Sequence, residues 1–252
     1  MKAILYVGHG SRVKAGVEQF EQFIHNVMTR YPDHDAFQTY GFIELSSPTI
    51  AEAIDHCVQN GATEITVVPV LLLTAGHARV DIPEQVEEAI KTHPKIRIHY
   101  RETIGVCEEV VELAVKRLEA AGMSRLVDKA KRADVDVLLV GRGSSDGYQP
   151  SDVAKIARLI YERVDCRYVE TCFLAATTPT VEEGLEKVER LRSEHTVVLP
   201  YLLFTGVLMN ELEQKLQRRK GGTTYTLCAF LGADHELAPV IVSRALASGG
   251  QV

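Results

Sequence analysis

The stretch ITVVPVLLLTAGHARVD, Ile65 to Asp81, decides how the rest of the chain is read. Its first half is an unbroken apolar run rich in Val and Leu and flanked by polar residues, the pattern of a strand buried on both faces of a parallel sheet. A lone histidine, His77, stands just past the strand's end. In open α/β sheets, ligands bind outside that carboxyl edge. The pattern returns as TVVLPYLLFTGVLMNE, Thr196 to Glu211, in which Pro200 answers Pro69, Thr205 answers Thr74 and Leu208 stands where His77 stood.

Working outward, the order strand, glycine turn, helix occurs in both halves. Ala3 to Val7 reads as a buried strand, Gly8-His9-Gly10-Ser11 as the turn, and residues 14 to 31 as an amphipathic helix. A second strand, Ala36 to Ile43, ends on Glu44, and Ser46-Ser47-Pro48-Thr49 opens the next helix. After the Ile65 strand, Pro83 starts a helix, Lys95 to Tyr100 forms a strand, and a long helix runs from Glu108 to Gly122. The order then restarts. Val135 to Val140 leads into Gly141-Arg142-Gly143-Ser144, a helix spans Val153 to Val164, and a strand from Arg167 ends near Ala175. Glu44 and Ala175 are 131 positions apart, as are His77 and Leu208, and His9 and Arg142 are 133 apart. Three landmarks in one order at nearly one spacing indicate an internal duplication. The expected fold is α/β: two similar lobes, 1–127 and 128–252, each a parallel sheet with flanking helices, with the active cleft between them.

The chain has 252 residues, 46% of them hydrophobic and 25% charged, which suits a globular protein and argues against disorder. The run after Met1 is too short for a signal-peptide core or a membrane span, so the expectation is a cytoplasmic protein with no membrane partner. A formal charge of -6 speaks against nucleic acid as a partner, and an anionic ligand would have to meet a local basic cluster. Five scattered cysteines without a C-x-x-C pair point to reduced thiols rather than disulfides or a cysteine metal site. Neither glycine turn completes a dinucleotide or phosphate-loop motif, and Ser11 is not in a hydrolase elbow.

The duplication serves as an internal control on the chemistry. His9, Glu44 and His77 lie at the carboxyl ends of three strands of the first half, and their counterparts are Arg142, Ala175 and Leu208. Strand ends of one parallel sheet open on one rim, so two imidazoles and a carboxylate can converge there. Such a set suits a divalent first-row metal. His25, His34, His56, His93, His99, His195 and His235 fall where solvated or helix-face roles are expected. Arg12, Lys14, Arg79 and Arg142 gather by sequence at the same edge, either as solvated loop charges or as a rim that pairs with carboxylates.

VGHGSR, FIELSSPTI and VPVLLLTAGHARVDIP together resemble the class II tetrapyrrole chelatases, and within them the long two-lobed sirohydrochlorin ferrochelatases. GRGSSD and LPYLLFTGVLMNE resemble that family's degenerate repeat, so the likeness covers nearly the whole chain. The resemblance implies insertion of Fe2+ into sirohydrochlorin without nucleotide, by a lyase with no permanently bound cofactor. The partners implied are sirohydrochlorin and a divalent metal, with the chain a monomer or weak homodimer. It implies metal-handling roles for His9 and His77 and an active-site role for Glu44, which is the further candidate metal ligand. Ser11, Arg12, Arg79, Arg142, Leu45, Leu208 and Met209 are the expected tetrapyrrole contacts, with Leu72 and Val207 completing the apolar walls. A cobaltochelatase of cobalamin synthesis using Co2+, and a non-catalytic metal or tetrapyrrole carrier, are the alternatives. The tail SRALASGGQV has neither a histidine tract nor cysteines, which leans toward iron.

Overall fold

The computed structural model describes residues 1–30, 36–233 and 235–247; His34 and the end of the tail, residues 248–252, lie outside the described residues. Among the described residues eight strands form two four-stranded sheets, parallel throughout. In the first, β1 (Lys2–Gly8), β2 (Ala36–Phe42), β3 (Glu64–Pro69) and β4 (Arg97–Tyr100) lie in the order β2-β1-β3-β4. In the second, β5 (Asp136–Gly141), β6 (Val169–Phe173), β7 (His195–Tyr201) and β8 (Thr224–Leu227) repeat it as β6-β5-β7-β8. The helices are α1 (Lys14–Arg30), α2 (Ile50–Gln59), α3 (Ile82–Ile90), α4 (Glu108–Ala120), α5 (Tyr148–Tyr161), α6 (Val181–Arg190), α7 (Val207–Gln217) and α8 (Ala238–Leu246). The expected fold, two helix-flanked parallel sheets from one duplicated unit, is the fold observed.

Central strands carry the apolar load. Ala3 to Gly8 of β1 and all of β5 are buried. In the first unit Leu5, Val7, Ile54, Ile65, Val67 and Ile82 share one core. Full burial of each such side chain contributes about 1.5–3 kcal/mol. The apolar run VVPVLLL does not stay in the sheet to its end. Its ladder stops at Pro69 because β1 ends at Gly8, and the carbonyls of Leu71 and Leu72 then accept from the N–H groups of Ile104 and Gly105 at 3.0 and 2.8 Å. Helix α5 begins five residues earlier than the sequence pattern predicts, since Pro150 falls in its first turn, where no N–H is required.

The duplication extends to backbone detail. Thr49 with Glu52 and Thr180 with Glu183 each make a complete capping box. Leu45 (φ 63°) matches Ala176 (φ 60°), Gly10 (φ 92°) matches Gly143 (φ 91°), and cis peptide bonds precede both Pro48 and Pro179.

Compactness divides the chain differently from the boundary at 127/128. One unit comprises 1–105 together with the segment after 232, and the other 106–232. Helix α4 buries Val110, Val111, Leu113, Ala114, Val115 and Leu118 and packs on α5 and β7. Its equivalent, α8, packs on α1 and β3, with Arg244 donating to the carbonyls of Thr103 and Ile104, each at 3.1 Å. The fourth helix of each repeat is therefore held by the sheet of the other. The segment after α4 is tied into the second unit as well, where Asp165 N–H donates to Ser124 O and Leu126 N–H to Arg163 O, both at 2.8 Å.

Candidate metal centre

Strand order sets the site. β1 lies between β2 and β3, so the residues leaving these three strands are neighbours on one edge. His9 follows Gly8 directly, Glu44 stands two residues past Phe42, and His77 follows the loop after β3. The first two turns are pressed together. Ile43 N–H donates to Gly8 O at 2.9 Å and Glu44 N–H to His9 O at 3.2 Å. Contact this close needs glycine at position 10, where a Cβ would lie 1.8 Å from the Glu44 carbonyl oxygen and φ is +92°. Ser46 Oγ accepts from Ser11 N–H at 3.1 Å and donates to Ser11 O at 3.2 Å, lacing the loops.

His77 opens a π-helical turn, His77–Asp81, closed by the Ile82 N–H donating to His77 O. Single π turns inside helices recur at functional sites. The Tyr100 hydroxyl donates to Ala78 O at 2.7 Å, and Gln85 Nε2 donates to Ile43 O at 3.1 Å, fixing this turn and α3 against the strand ends. Thr74 and Thr103 share a hydroxyl–hydroxyl bond of 2.9 Å in the loop before it.

The three expected groups meet. One ligand atom from each of His9, Glu44 and His77 lies within 4.8 Å of the other two. His9 Nε2 is 3.6 Å from Glu44 Oε1, and the imidazole rings stand edge-on, 4.6 Å between centroids at 89°. Ligand atoms about 2.0–2.2 Å from a tetrahedral ion are roughly 3.3–3.6 Å apart. The set therefore fits an ion once its widest pair closes by at most about 1.5 Å. Side-chain exposures of 26% for His9, 49% for Glu44 and 28% for His77 leave all three groups partly accessible.

Sequence reasoning missed Asp81. Its Oδ2 lies 2.5 Å from Nδ1 of His77, and the i,i+4 spacing of HARVD was the available signal. Among the expected tetrapyrrole contacts, the Ser11 hydroxyl accepts from Val13 N–H at 3.1 Å. Arg12 and Arg79 are exposed, Leu72 is half-buried, and Leu45 is 48% exposed in its left-handed backbone conformation. Of those in the second unit, Arg142 and Val207 are exposed, Leu208 is half-buried, and Met209 is buried at 6% exposure. The other described histidines serve elsewhere: His93 pairs with Asp55 at 2.6 Å, His99 with Glu64 at 3.0 Å, His195 with the Thr226 hydroxyl at 2.9 Å, and His56 stacks on Phe37. His25 and His235 are exposed.

The CbiX family model matches residues 3–121 and again 136–248. A sirohydrochlorin ferrochelatase of Priestia megaterium is 40% identical over 242 residues, covering 96% of this chain and 88% of its own length. A sirohydrochlorin cobaltochelatase of the same organism is 35% identical over 248 residues, covering 97% and 79%. The structure of SirB from Bacillus subtilis with Fe3+ superposes with a TM-score of 0.82 at 39% identity, covering 96% of this chain and 93% of that one. One model matching each half in turn is what the repeated β-order and paired capping boxes require, and it makes this chain a two-lobed member of the CbiX family.

Proposed function

We propose that the chain is a sirohydrochlorin ferrochelatase, a lyase that inserts Fe2+ into sirohydrochlorin without nucleotide hydrolysis and acts in the cytoplasm as a monomer or weak homodimer. The observation that carries this is the convergence of His9, Glu44 and His77 into one open ligand set in a chain 40% identical over nearly its whole length to a protein of that activity. An inserted metal has to leave. Two imidazoles and one carboxylate hold a cation through few protein ligands, so waters and then ring nitrogens replace them one at a time, whereas a closed four-ligand site would keep it. As M2+ enters the macrocycle two ring N–H protons leave, conserving charge. A neutral imidazole and a carboxylate 3.6 Å apart can accept them within the same site. Exposed Arg12 and Arg79 offer guanidinium forks to the pigment's carboxylates, and exposed Leu45 offers an apolar contact to the ring. Arg142 and Leu208 keep accessible side chains of the same two kinds; buried Met209 does not. Among the described residues no helix is long and apolar enough to cross a membrane.

A cobaltochelatase is the second reading, favoured by the 35% identity to a protein of that activity. Anaerobic absorbance assays of insertion into sirohydrochlorin, with Fe2+ against Co2+ at matched free concentrations, separate the two. Higher kcat/KM for Fe2+ supports the proposal, and higher kcat/KM for Co2+ replaces it with the second reading. His9→Ala and His77→Ala are each expected to lose both rate and metal binding. Wild-type turnover in either removes that residue from the mechanism. A protein that binds the pigment but leaves insertion at the spontaneous rate is a carrier.

A further inference from the structure

We infer that Asp81 is a positioning residue for His77: its carboxylate accepts the Nδ1 proton of the imidazole and so presents Nε2 to the substrate metal. The inference rests on the metal-handling role proposed for His77. Three observations converge on it. First, Nδ1 of His77 and Oδ2 of Asp81 are 2.5 Å apart, so one ring nitrogen is committed to the carboxylate. When Nδ1 carries the proton, Nε2 is left with the lone pair a metal needs.

Second, Asp81 has no competing structural employment as a helix cap. It stands directly before α3, yet its side chain makes no capping hydrogen bond there. Elsewhere in this chain, at the starts of α2 and α6, Thr49 and Thr180 do make such bonds. The π turn carries His77 and Asp81 at its two ends, so its backbone sets their separation.

Third, the second repeat separates function from fold. His77 and Asp81 correspond, at the same spacing of 131, to Leu208 and Leu212. There α7 runs from Val207 as an ordinary α-helix, and Leu212 is fully buried. Where the imidazole is absent, the carboxylate and the π turn are absent with it, and the helix still forms. Carboxylate and imidazole thus go together, as a ligand and the group that orients it.

The test uses the full-length protein with Asp81→Ala and Asp81→Asn. Co2+ alone is the probe, titrated by its visible absorption, with 15N-histidine NMR of the metal-free protein alongside. In the wild type, the His77 resonances should show the Nδ1–H tautomer. Asp81→Ala should lose that signature and bind Co2+ about 10- to 100-fold more weakly, the usual cost of removing such a partner, with its far-UV dichroism unchanged. Asn keeps a carbonyl that can accept the same proton, so Asp81→Asn should retain the tautomer and bind within a few-fold of wild type. An unchanged tautomer and Co2+ affinity in Asp81→Ala, or equal losses in both variants, would overturn the inference. Neither readout involves metal insertion. Failure of the chelatase reading would appear separately, as a wild type that binds Co2+ and leaves sirohydrochlorin unmetallated.

Discussion

Replacing Gly10 by alanine, beside the same change at Gly143, tests whether the site is made by backbone or by side chain. The two glycines occupy the same turn of the two repeats, with φ of +92° and +91°. An added Cβ would lie 1.8 Å from the Glu44 carbonyl oxygen in the first and 1.9 Å from that of Ala175 in the second. A non-glycine residue in left-handed backbone costs about 1–3 kcal/mol, and relieving a contact that short by moving the loops adds about 1–3 kcal/mol. Each variant should therefore lose roughly 2–6 kcal/mol, which for a chain of this size is a drop of roughly 4–24 °C in Tm. The chain has no tryptophan, so far-UV dichroism rather than indole fluorescence is the probe. The functional consequences should diverge. In Gly10→Ala the strained turn flanks His9 and rests on Glu44, which are 3.6 Å apart, so Co2+ binding should weaken at least tenfold. In Gly143→Ala the flanking residues are Arg142 and Ala175, and Co2+ affinity should remain that of the wild type. Gly10→Ala with wild-type Tm and metal binding, or Gly143→Ala losing metal to the same extent, would refute the argument.

The β2–α2 contact of the first unit and the β6–α6 contact of the second place their small residue on opposite partners, Gly41 against Ala53 and Cys172 against Gly184. A Cβ on Gly184 would sit 2.6 Å from that of Cys172, so Gly184→Ala should destabilise by about 1–2 kcal/mol. In a Cys172→Gly background the same change should stabilise by up to about 1 kcal/mol through helix propensity; an unchanged sign in urea unfolding would refute the pairing. Burial pushes the thiols of Cys57, Cys166, Cys172 and Cys228 up to about 12 and raises that of half-buried Cys107. At pH 8 an aromatic disulfide reagent should therefore react first at Cys107 and reach all five thiols only after unfolding. Because folding holds these groups protonated, their stability contribution is complete below the ordinary thiol value of 9.0 and is lost as pH rises from there toward 12. Melting temperatures should accordingly fall between pH 9 and 11, and a flat profile would count against buried thiols as a cause. Equilibrium dialysis should find one Co2+ per chain, removed by His9→Ala; two per chain would mean that the second repeat also binds.

Much of this was legible in the sequence because parallel sheets have a strict edge. Apolar runs located β1, β3, β5 and β7, and the residues just past them had to lie on one rim. His9, Glu44 and His77 could therefore be grouped without coordinates. Less could be read where tertiary packing overrides local pattern. Helices α4 and α8 are amphipathic in either lobe, and nothing in their periodicity tells which sheet will cover them. The π turn was hidden because Pro83 reads as the opening residue of the next helix, which leaves His77–Asp81 in the loop after the strand. Ser11 and Met209 show the complementary limit. Their residue types were legible, whereas the bond that the Ser11 hydroxyl accepts from Val13 N–H and the burial of Met209 are set by the packing around them.

The two repeats differ in a way that accounts for the single cation site proposed for the first. The turn that brings the first two strand ends together is intact in both: Ala175 N–H donates to Arg142 O at 2.9 Å, as Glu44 N–H does to His9 O. Backbone geometry at that edge is thus a property of the fold, sustained by Gly143 without any ligand to serve. What differs is the third arm. At the start of α7 the helix is regular and turns Leu212 fully into the core, so a carboxylate there would be buried unpaired at a cost of several kcal/mol. In the first repeat the π turn keeps Asp81 at 44% side-chain exposure beside His77, where its charge stays solvated. Restoring imidazoles to the second repeat would therefore supply ligands without the partner that orients the last of them. The constraint that keeps the site single lies in the helix rather than in the glycine loops.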